Sequence, residues 1–169
     1  MHVPDLGNDC IHQLGFDDKG KLIHLKEEIN VEPGSGPRHI SYDSKQKLFA
    51  YGINELANTI TPCWMIDGRL FEIRPPNKEF FSYSTLPKGW TGVQPICKTL
   101  TASHTADIHV SPDNRFLYGS NRGHESIVVF KINPETGELG EAIQHIDIGG
   151  SIPRSFAITP DGKFLLVAC

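Results

Sequence analysis

The 169-residue sequence predicts an all-β fold, and two observations carry this prediction. Apolar and polar residues alternate with a period of two in most segments, whereas the 3.6-residue apolar period of an amphipathic helix is nowhere sustained. A strand–turn–strand pattern also occurs three times, at residues 38–55, 107–122 and 154–169. A repeated β unit predicts an architecture in which equivalent sheets stand side by side.

The units follow one another along the chain. Residues 1–36 contain a strand, an Asp-Asp-Lys-Gly turn and a second strand, which is the layout of the outer half of a unit. Residues 37–104 hold a full unit with an insertion between Cys63 and His104, residues 105–152 hold another, and residues 153–169 begin a further one. Their turns are DSKQK, SPDNR and TPDGK. Proline presets the first turn position and Asn or Gly accepts the left-handed one, so the last two predict tight β-turns.

Four short antiparallel strands in each unit of about 45 residues are typical of a β-propeller blade. About three blades are present in this count, with the first and last incomplete. Because propellers close with four or more blades, we expect the chain to be part of a longer protein. The apolar run from Phe164 to Ala168 is expected to be an inner strand buried on both faces.

Composition excludes several classes of function. The formal net charge of −4 provides no basic field for a nucleic-acid backbone, so no nucleic-acid partner is expected. No apolar run approaches the roughly 20 residues that cross a bilayer, and no secretory signal is visible, so we expect a cytoplasmic protein without a membrane partner.

The sequence also predicts no metal and no cofactor. The cysteines are scattered without a Cys-x-x-Cys pair, which argues against a zinc site and against a disulfide scaffold. The histidines offer only one weak pair for metal binding, His2 and His12. The four cysteines are Cys10, Cys63, Cys97 and Cys169.

Several stretches resemble the propeller-type lactonase family, which includes one class of 6-phosphogluconolactonases and the fungal 3-carboxy-cis,cis-muconate lactonizing enzyme. The matching stretches are HVPDLGND (2–9), GPRHISYD (36–43), YGINELANT (51–59), STLPKGWTG (84–92), ADIHVSPDNRFLYGSNRGHESIVVF (106–130) and IPRSFAITPDGKFLLVAC (152–169). They leave out mainly residues 62–83 and 93–103. The resemblance implies a seven-bladed propeller that hydrolyses 6-phosphogluconolactone to 6-phosphogluconate in the pentose phosphate pathway.

Two alternatives stay open. One is the related cyclisation of a carboxymuconate, and the other is a non-enzymatic propeller scaffold or an inactive fragment. Fold alone does not decide between them, because propellers support many unrelated functions.

The candidate site residues follow from the chemistry and from the resemblance together. Opening a lactone needs a water activated by a general base, and donors for the negative charge that grows on the carbonyl oxygen. The substrate in either branch is anionic, and the arginine side chain fits phosphate and carboxylate groups. We therefore expect Glu55 as base or acid, Arg38 and Arg122 as stabilisers of charge, and His2 as a hydrogen-bonding or proton-transfer group.

A second set is expected to bind substrate: Arg154, His109, Asp107 and His39. The residues alone leave structural roles open for these positions. An arginine after proline at a strand start can simply pair with an acid of the neighbouring blade, and Asp107 or His109 can be a structural hydrogen-bonding group.

Overall fold

The computed structural model describes residues 1–43, 45, 48–90, 92 and 102–169. The described residues form fifteen strands and no helix, arranged in four antiparallel sheets, which confirms the predicted all-β fold. Cys97 and three residues of the predicted DSKQK turn, Ser44, Gln46 and Lys47, lie outside the described residues.

The sheets follow the order of the chain. The first contains β1 (His2–Asp5), β2 (Cys10–Phe16), β3 (Leu22–His24) and β4 (Ile29–Asn30), with β2 paired to the other three. The second contains β5 (Pro37–Tyr42), β6 (Phe49–Asn54), β7 (Thr59–Ile66), β8 (Arg69–Glu72) and β9 (Tyr83–Ser84). The third contains β10 (His104–Val110), β11 (Phe116–Arg122), β12 (Ser126–Lys131) and β13 (Gln144–Asp147), and the fourth contains β14 (Ser155–Ile158) and β15 (Leu165–Ala168).

The first strands of the four sheets lie side by side. Strand β1 contacts β5, β5 contacts β10, and β10 contacts β14, which is how blades surround a propeller axis. The pairing of β5 with β6 shifts between Pro37 and His39, and that of β10 with β11 shifts between Thr105 and Ile108. Such irregularities turn side chains away from the regular alternation, and Arg38 and Asp107 lie at these irregular positions of two adjacent first strands.

Apolar side chains fill the spaces between adjacent sheets. The larger cluster joins the second and third sheets and includes Tyr51, Ile53, Leu117 and Phe130, all at most 1% exposed. Full burial of one such side chain stabilises the fold by about 1.5–3 kcal/mol. The Tyr51 hydroxyl donates to the Gly137 carbonyl at 2.9 Å, so this buried polar group keeps a partner.

The first and second sheets are joined by a buried amide. The Gln13 side chain donates to the Leu70 carbonyl at 3.0 Å and accepts from the Leu70 amide at 2.7 Å. Ile11, Ala50 and Cys63 pack around this contact. The Gln13 side chain thus supplies the hydrogen-bond partners of the Leu70 amide and carbonyl.

The C-terminal strand differs from the expectation. Phe164 is 65% exposed and Leu166 is 64% exposed, so this run is not buried on both faces. The physical reason is that β15 pairs only with β14 among the described residues, and no further sheet packs on its outer face there. The division into blades at residues 36, 104 and 152, with an insertion in the second, remains a prediction.

Candidate functional site

Glu55 lies between two arginines at the seam of the second and third sheets. Its Oε1 accepts from Nη2 of Arg122 at 2.6 Å, and its Oε2 lies 3.1 Å from Nε of Arg38. The side chains are largely buried, with 21% of Glu55, 16% of Arg38 and 9% of Arg122 exposed. Two guanidinium groups therefore meet one carboxylate, which leaves a net positive charge in a partly dehydrated place.

The backbone holds this cluster in position. The Glu55 amide donates to the Gly36 carbonyl at 2.7 Å, while the Glu55 carbonyl accepts from the Thr105 amide at 3.1 Å. The Thr105 hydroxyl also donates to the Asn54 carbonyl at 2.8 Å. These bonds join the end of β6 to β10, so the Glu55 backbone is hydrogen-bonded to residues of both the second and the third sheet units.

The arginines keep donor capacity. Nη2 of Arg122 also donates to the Thr105 carbonyl at 2.8 Å, which fixes the plane of its guanidinium. Within the described part of the chain, the buried Nε atoms of Arg38 and Arg122 have no partner in good hydrogen-bond geometry. Buried donors of this kind are rare, and of the two arginines only Arg38 borders a cavity from which an anion could approach its guanidinium.

A second cluster surrounds Asp107. Its Oδ1 accepts from Nδ1 of His39 at 3.0 Å, and its Oδ2 lies 3.3 Å from Nε2 of His109. Oδ2 also accepts from the Ser155 hydroxyl at 2.9 Å and the Phe156 amide at 3.0 Å. One carboxylate thus connects the first strands of three consecutive sheets.

These contacts change the acidity of Asp107. Burial alone would raise the pKa of this carboxyl group, but hydrogen bonds from His109, His39, the Phe156 amide and Ser155 outweigh it. The pKa of Asp107 therefore lies far below its usual range, and the group is ionised at neutral pH. An ionised Asp107 fixes which nitrogens of the two histidine rings carry hydrogen.

Both clusters border one cavity. The cavity has a volume of about 760 Å³, within the usual range for small-molecule sites, and its lining includes Arg38, His39, Asp107, His109 and His2. Arg38 lines the cavity and contacts Glu55, so the first cluster reaches the cavity through Arg38, whereas Glu55 and Arg122 are not lining residues. These five of its lining residues come from three sheets.

His2 reaches the cavity from β1. Its Nε2 donates to the Gly68 carbonyl at 3.1 Å, so its Nδ1 accepts from the Tyr42 hydroxyl at 2.9 Å. Burial, followed by the charge of the nearby N-terminal ammonium group, lowers the pKa of His2. The ring is therefore neutral at pH 7, with both nitrogens engaged by the protein.

Arg154 stands apart from the other candidates. Its side chain is exposed and does not line the cavity, although its neighbour Ser155 bonds to Asp107. Ser155 and Tyr42 are two site residues that sequence reasoning missed. The only signal for Ser155 is its place beside the repeated Pro-Arg pair, and Tyr42 carries none beyond its strand position.

Comparison with known proteins places these features in context. The model of a family described as "Lactonase, 7-bladed beta-propeller" matches residues 1–169. The 6-phosphogluconolactonase of Formosa agariphila is 38% identical over 173 aligned residues, which cover 99% of this chain and 44% of the relative. The chain therefore spans less than half the length of that relative.

Solved structures agree with this result. A protein from Lactobacillus plantarum superposes with a TM-score of 0.81 at 28% identity, over 99% of this chain and 44% of its own. The periplasmic gluconolactonase of Pseudomonas aeruginosa gives a TM-score of 0.80 at 28% identity, over 99% and 43%. In the described residues no helix is long and apolar enough to span a membrane, and the cytoplasmic location stays a prediction.

Proposed function

This chain belongs to the lactonase family of seven-bladed β-propellers, and from that premise we propose that the protein carrying it hydrolyses a lactone. The observation that carries the proposal is the contact of Glu55 with Arg38 and Arg122, beside a cavity of suitable size. A carboxylate among guanidinium groups combines a proton acceptor with stabilisation of negative charge.

In the proposed reaction a water enters beside Arg38 and reaches the Glu55 carboxylate, which is 21% exposed. Glu55 accepts a proton from this water as the water oxygen attacks the lactone carbonyl carbon. The carbonyl oxygen becomes negatively charged, and Arg38 is the guanidinium placed to stabilise it because it borders the cavity. The ring C–O bond then breaks, the protonated Glu55 returns its proton to the departing oxygen, and the product is a hydroxy acid. Arg122 holds the Glu55 carboxylate in place through its bond of 2.6 Å.

The histidine cluster is proposed to bind the hydroxyl groups or the charged group of the substrate. Because His39 donates its Nδ1 hydrogen to Asp107, its Nε2 is left to accept a hydrogen bond when the ring is neutral. His109 is held to the same carboxylate through Nε2, which leaves Nδ1 available. His2 is proposed to contact the substrate as part of the cavity wall, because both of its ring nitrogens already bond to the protein. Arg154 is proposed to meet a charged group that extends from the cavity.

The favoured substrate is 6-phosphogluconolactone. The name of the Formosa agariphila relative supports it, and the Arg38 guanidinium at the cavity suits a phosphate group. The name of the Pseudomonas aeruginosa relative supports gluconolactone without the phosphate as a second candidate. The fungal branch of the family supports a carboxymuconolactone as a third.

A substrate panel tests the proposal. The protein carrying this chain is assayed on all three lactones at neutral pH, beside a control without enzyme that measures spontaneous hydrolysis. We expect hydrolysis above the control, fastest with the phosphorylated lactone. If the rate equals the spontaneous rate for every lactone, the proposal of a lactonase is wrong, and a scaffold role is favoured instead.

A further inference from the structure

A group of metal-binding side chains lies on the first sheet, outside the candidate active site. Cys10 and His12 are two residues apart and lie on the same face of β2. His24 is the last residue of the paired strand β3, and Glu28 comes directly before β4. We propose that these four residues bind one zinc ion. The sequence predicts no metal site, because its cysteines form no Cys-x-x-Cys pair. The cysteine, the two histidines and the glutamate come together only through the pairing of the strands.

The ligand atoms lie close to one another, and Sγ of Cys10 is nearer to Nε2 of His12, at 3.6 Å, than to Nδ1. Tetrahedral binding of one ion therefore requires the Cys10 and His12 side chains to shift. Nδ1 of His12 lies 2.8 Å from Oε1 of Glu28, 3.2 Å from Nε2 of His24 and 3.9 Å from Sγ of Cys10. The His24 and Glu28 atoms are 3.4 Å apart. Zinc bonds of about 2.0 Å to nitrogen or oxygen and about 2.3 Å to sulfur place tetrahedral ligands roughly 3.3–3.8 Å from one another.

The two histidines are held in the tautomers that a metal needs. Nδ1 of His24 donates to the Leu25 carbonyl at 2.7 Å, so its Nε2 faces the cluster with a lone pair. Nε2 of His12 lies 3.1 Å from Oδ2 of Asp5 and donates to it, so its Nδ1 also faces inward with a lone pair. An acceptor behind each metal-binding histidine is the usual supporting contact in zinc sites.

This arrangement points acceptor atoms at one another. The inward nitrogens of His12 and His24 and an oxygen of Glu28 meet within 3.4 Å, and when both rings are neutral no hydrogen lies between these atoms. Among the described residues, Asp5 and Glu28 form ion pairs only with histidines, so no lysine or arginine balances their charge. A divalent cation resolves both the repulsion and the excess of negative charge.

The donor set favours zinc with a structural role. One sulfur, two imidazole nitrogens and one carboxylate oxygen suit zinc better than magnesium or calcium, which prefer oxygen alone. Four protein ligands complete a tetrahedral shell and leave no position for a substrate. The bound ion would join β2, β3 and the segment before β4, so that metal binding stabilises this sheet.

Spectroscopy with cobalt tests the site without any measurement of activity. The 169-residue protein is freed of metal with a chelator and titrated with Co²⁺ alone, and then with Zn²⁺. We expect one equivalent of Co²⁺ to produce a thiolate-to-cobalt charge-transfer band in the near ultraviolet, which one equivalent of Zn²⁺ abolishes. The absence of this band would overturn the proposal and would favour a protonated His12 that bridges Asp5 and Glu28 without metal.

Matched variants locate the ion. Cys10→Ser is expected to abolish the thiolate band, whereas Cys169→Ser, at an exposed cysteine, is expected to keep it. Glu28→Gln is expected to weaken zinc binding, whereas Glu27→Gln at the neighbouring exposed residue is expected to leave it unchanged. A band that survives Cys10→Ser would show that the metal binds elsewhere and would refute the site.

A milder variant covers the case in which a ligand variant does not fold. Asp5→Asn keeps all four ligands and replaces the oxygen behind His12, which also accepts from the Asn8 side-chain amide. Loss of such supporting contacts typically weakens metal affinity about 10- to 100-fold. We expect a loss in this range by competition with a zinc chelator, while circular dichroism shows retained strands. An unchanged affinity in folded Asp5→Asn would contradict the proposed geometry at His12.

Discussion

Asp107→Asn is expected to destabilise the protein strongly, because Asp107 joins three sheets through one carboxylate. The residue is 6% exposed, and its oxygens accept from His39, His109, Ser155 and the Phe156 amide. An asparagine has the same shape, but one of its terminal groups donates hydrogen bonds. Whichever carboxylate oxygen it replaces, the NH2 group of asparagine would face hydrogen-bond donors and could not accept from them.

The size of the effect follows from the number of bonds. A hydrogen bond to a charged group contributes about 1.5–3 kcal/mol, and the substitution removes at least two such bonds. The histidines are half exposed and regain water, so we discount their share. In either orientation of the asparagine, one buried backbone amide, that of Ile108 or that of Phe156, loses its acceptor. The expected loss in the free energy of unfolding is about 3 kcal/mol at pH 7.

Denaturant unfolding at several pH values measures this loss. The pKa of Asp107 in the folded protein lies below its unfolded value of about 3.9, so its contribution is complete above that value and is lost as the pH falls toward the folded pKa. The difference between wild type and variant should therefore be full at pH 7 and shrink below about pH 4. Asp161→Asn, at an exposed turn, is the control and should cost less than about 1 kcal/mol. A loss below about 1 kcal/mol for Asp107→Asn would refute the reasoning.

Two further substitutions test the packing between sheets. Gly137→Ala should lower the free energy of unfolding by about 1–3 kcal/mol more than Gly68→Ala does. Both glycines have left-handed φ angles (+68° and +74°), but only at Gly137 would a Cβ collide with the buried Phe49 ring. Equal losses in thermal unfolding would contradict this account of the contact. Gln13→Ala should cost about 2–4 kcal/mol, because it leaves the Leu70 amide and carbonyl unpaired in a buried place. A loss near zero by denaturant unfolding would show that water satisfies Leu70 as well as the side chain does.

The repeated pattern predicted the strand pairs well. Period-two alternation and Pro-Asp turns act within about a dozen residues, so they are legible in a single sequence. The chemistry of lactone opening and the resemblance together pointed to Arg38, Glu55 and Arg122, and the structure brings these three together although 67 residues separate Glu55 from Arg122. Their catalytic roles remain proposals.

Other contacts depend on packing that no local pattern encodes. The partners of Asp107 lie on three sheets, and their meeting depends on how β5, β10 and β14 stand beside one another. The approach of Cys10 to Glu28 likewise depends on the pairing of β2 with β3 and β4. The exposure of Phe164 shows the same limit, because burial of a strand face is decided by what packs on it.

The turnover of Glu55→Gln tests the central claim most directly, namely that Glu55 between Arg38 and Arg122 transfers protons in lactone hydrolysis. In the protein carrying this chain, kcat for 6-phosphogluconolactone is measured beside Glu27→Gln, with folding of both variants verified by circular dichroism. Loss of a general acid–base group lowers rates about 10²- to 10⁴-fold, so we predict a fall in this range for Glu55→Gln and none for Glu27→Gln. A folded Glu55→Gln variant with kcat within about twofold of wild type would contradict the account.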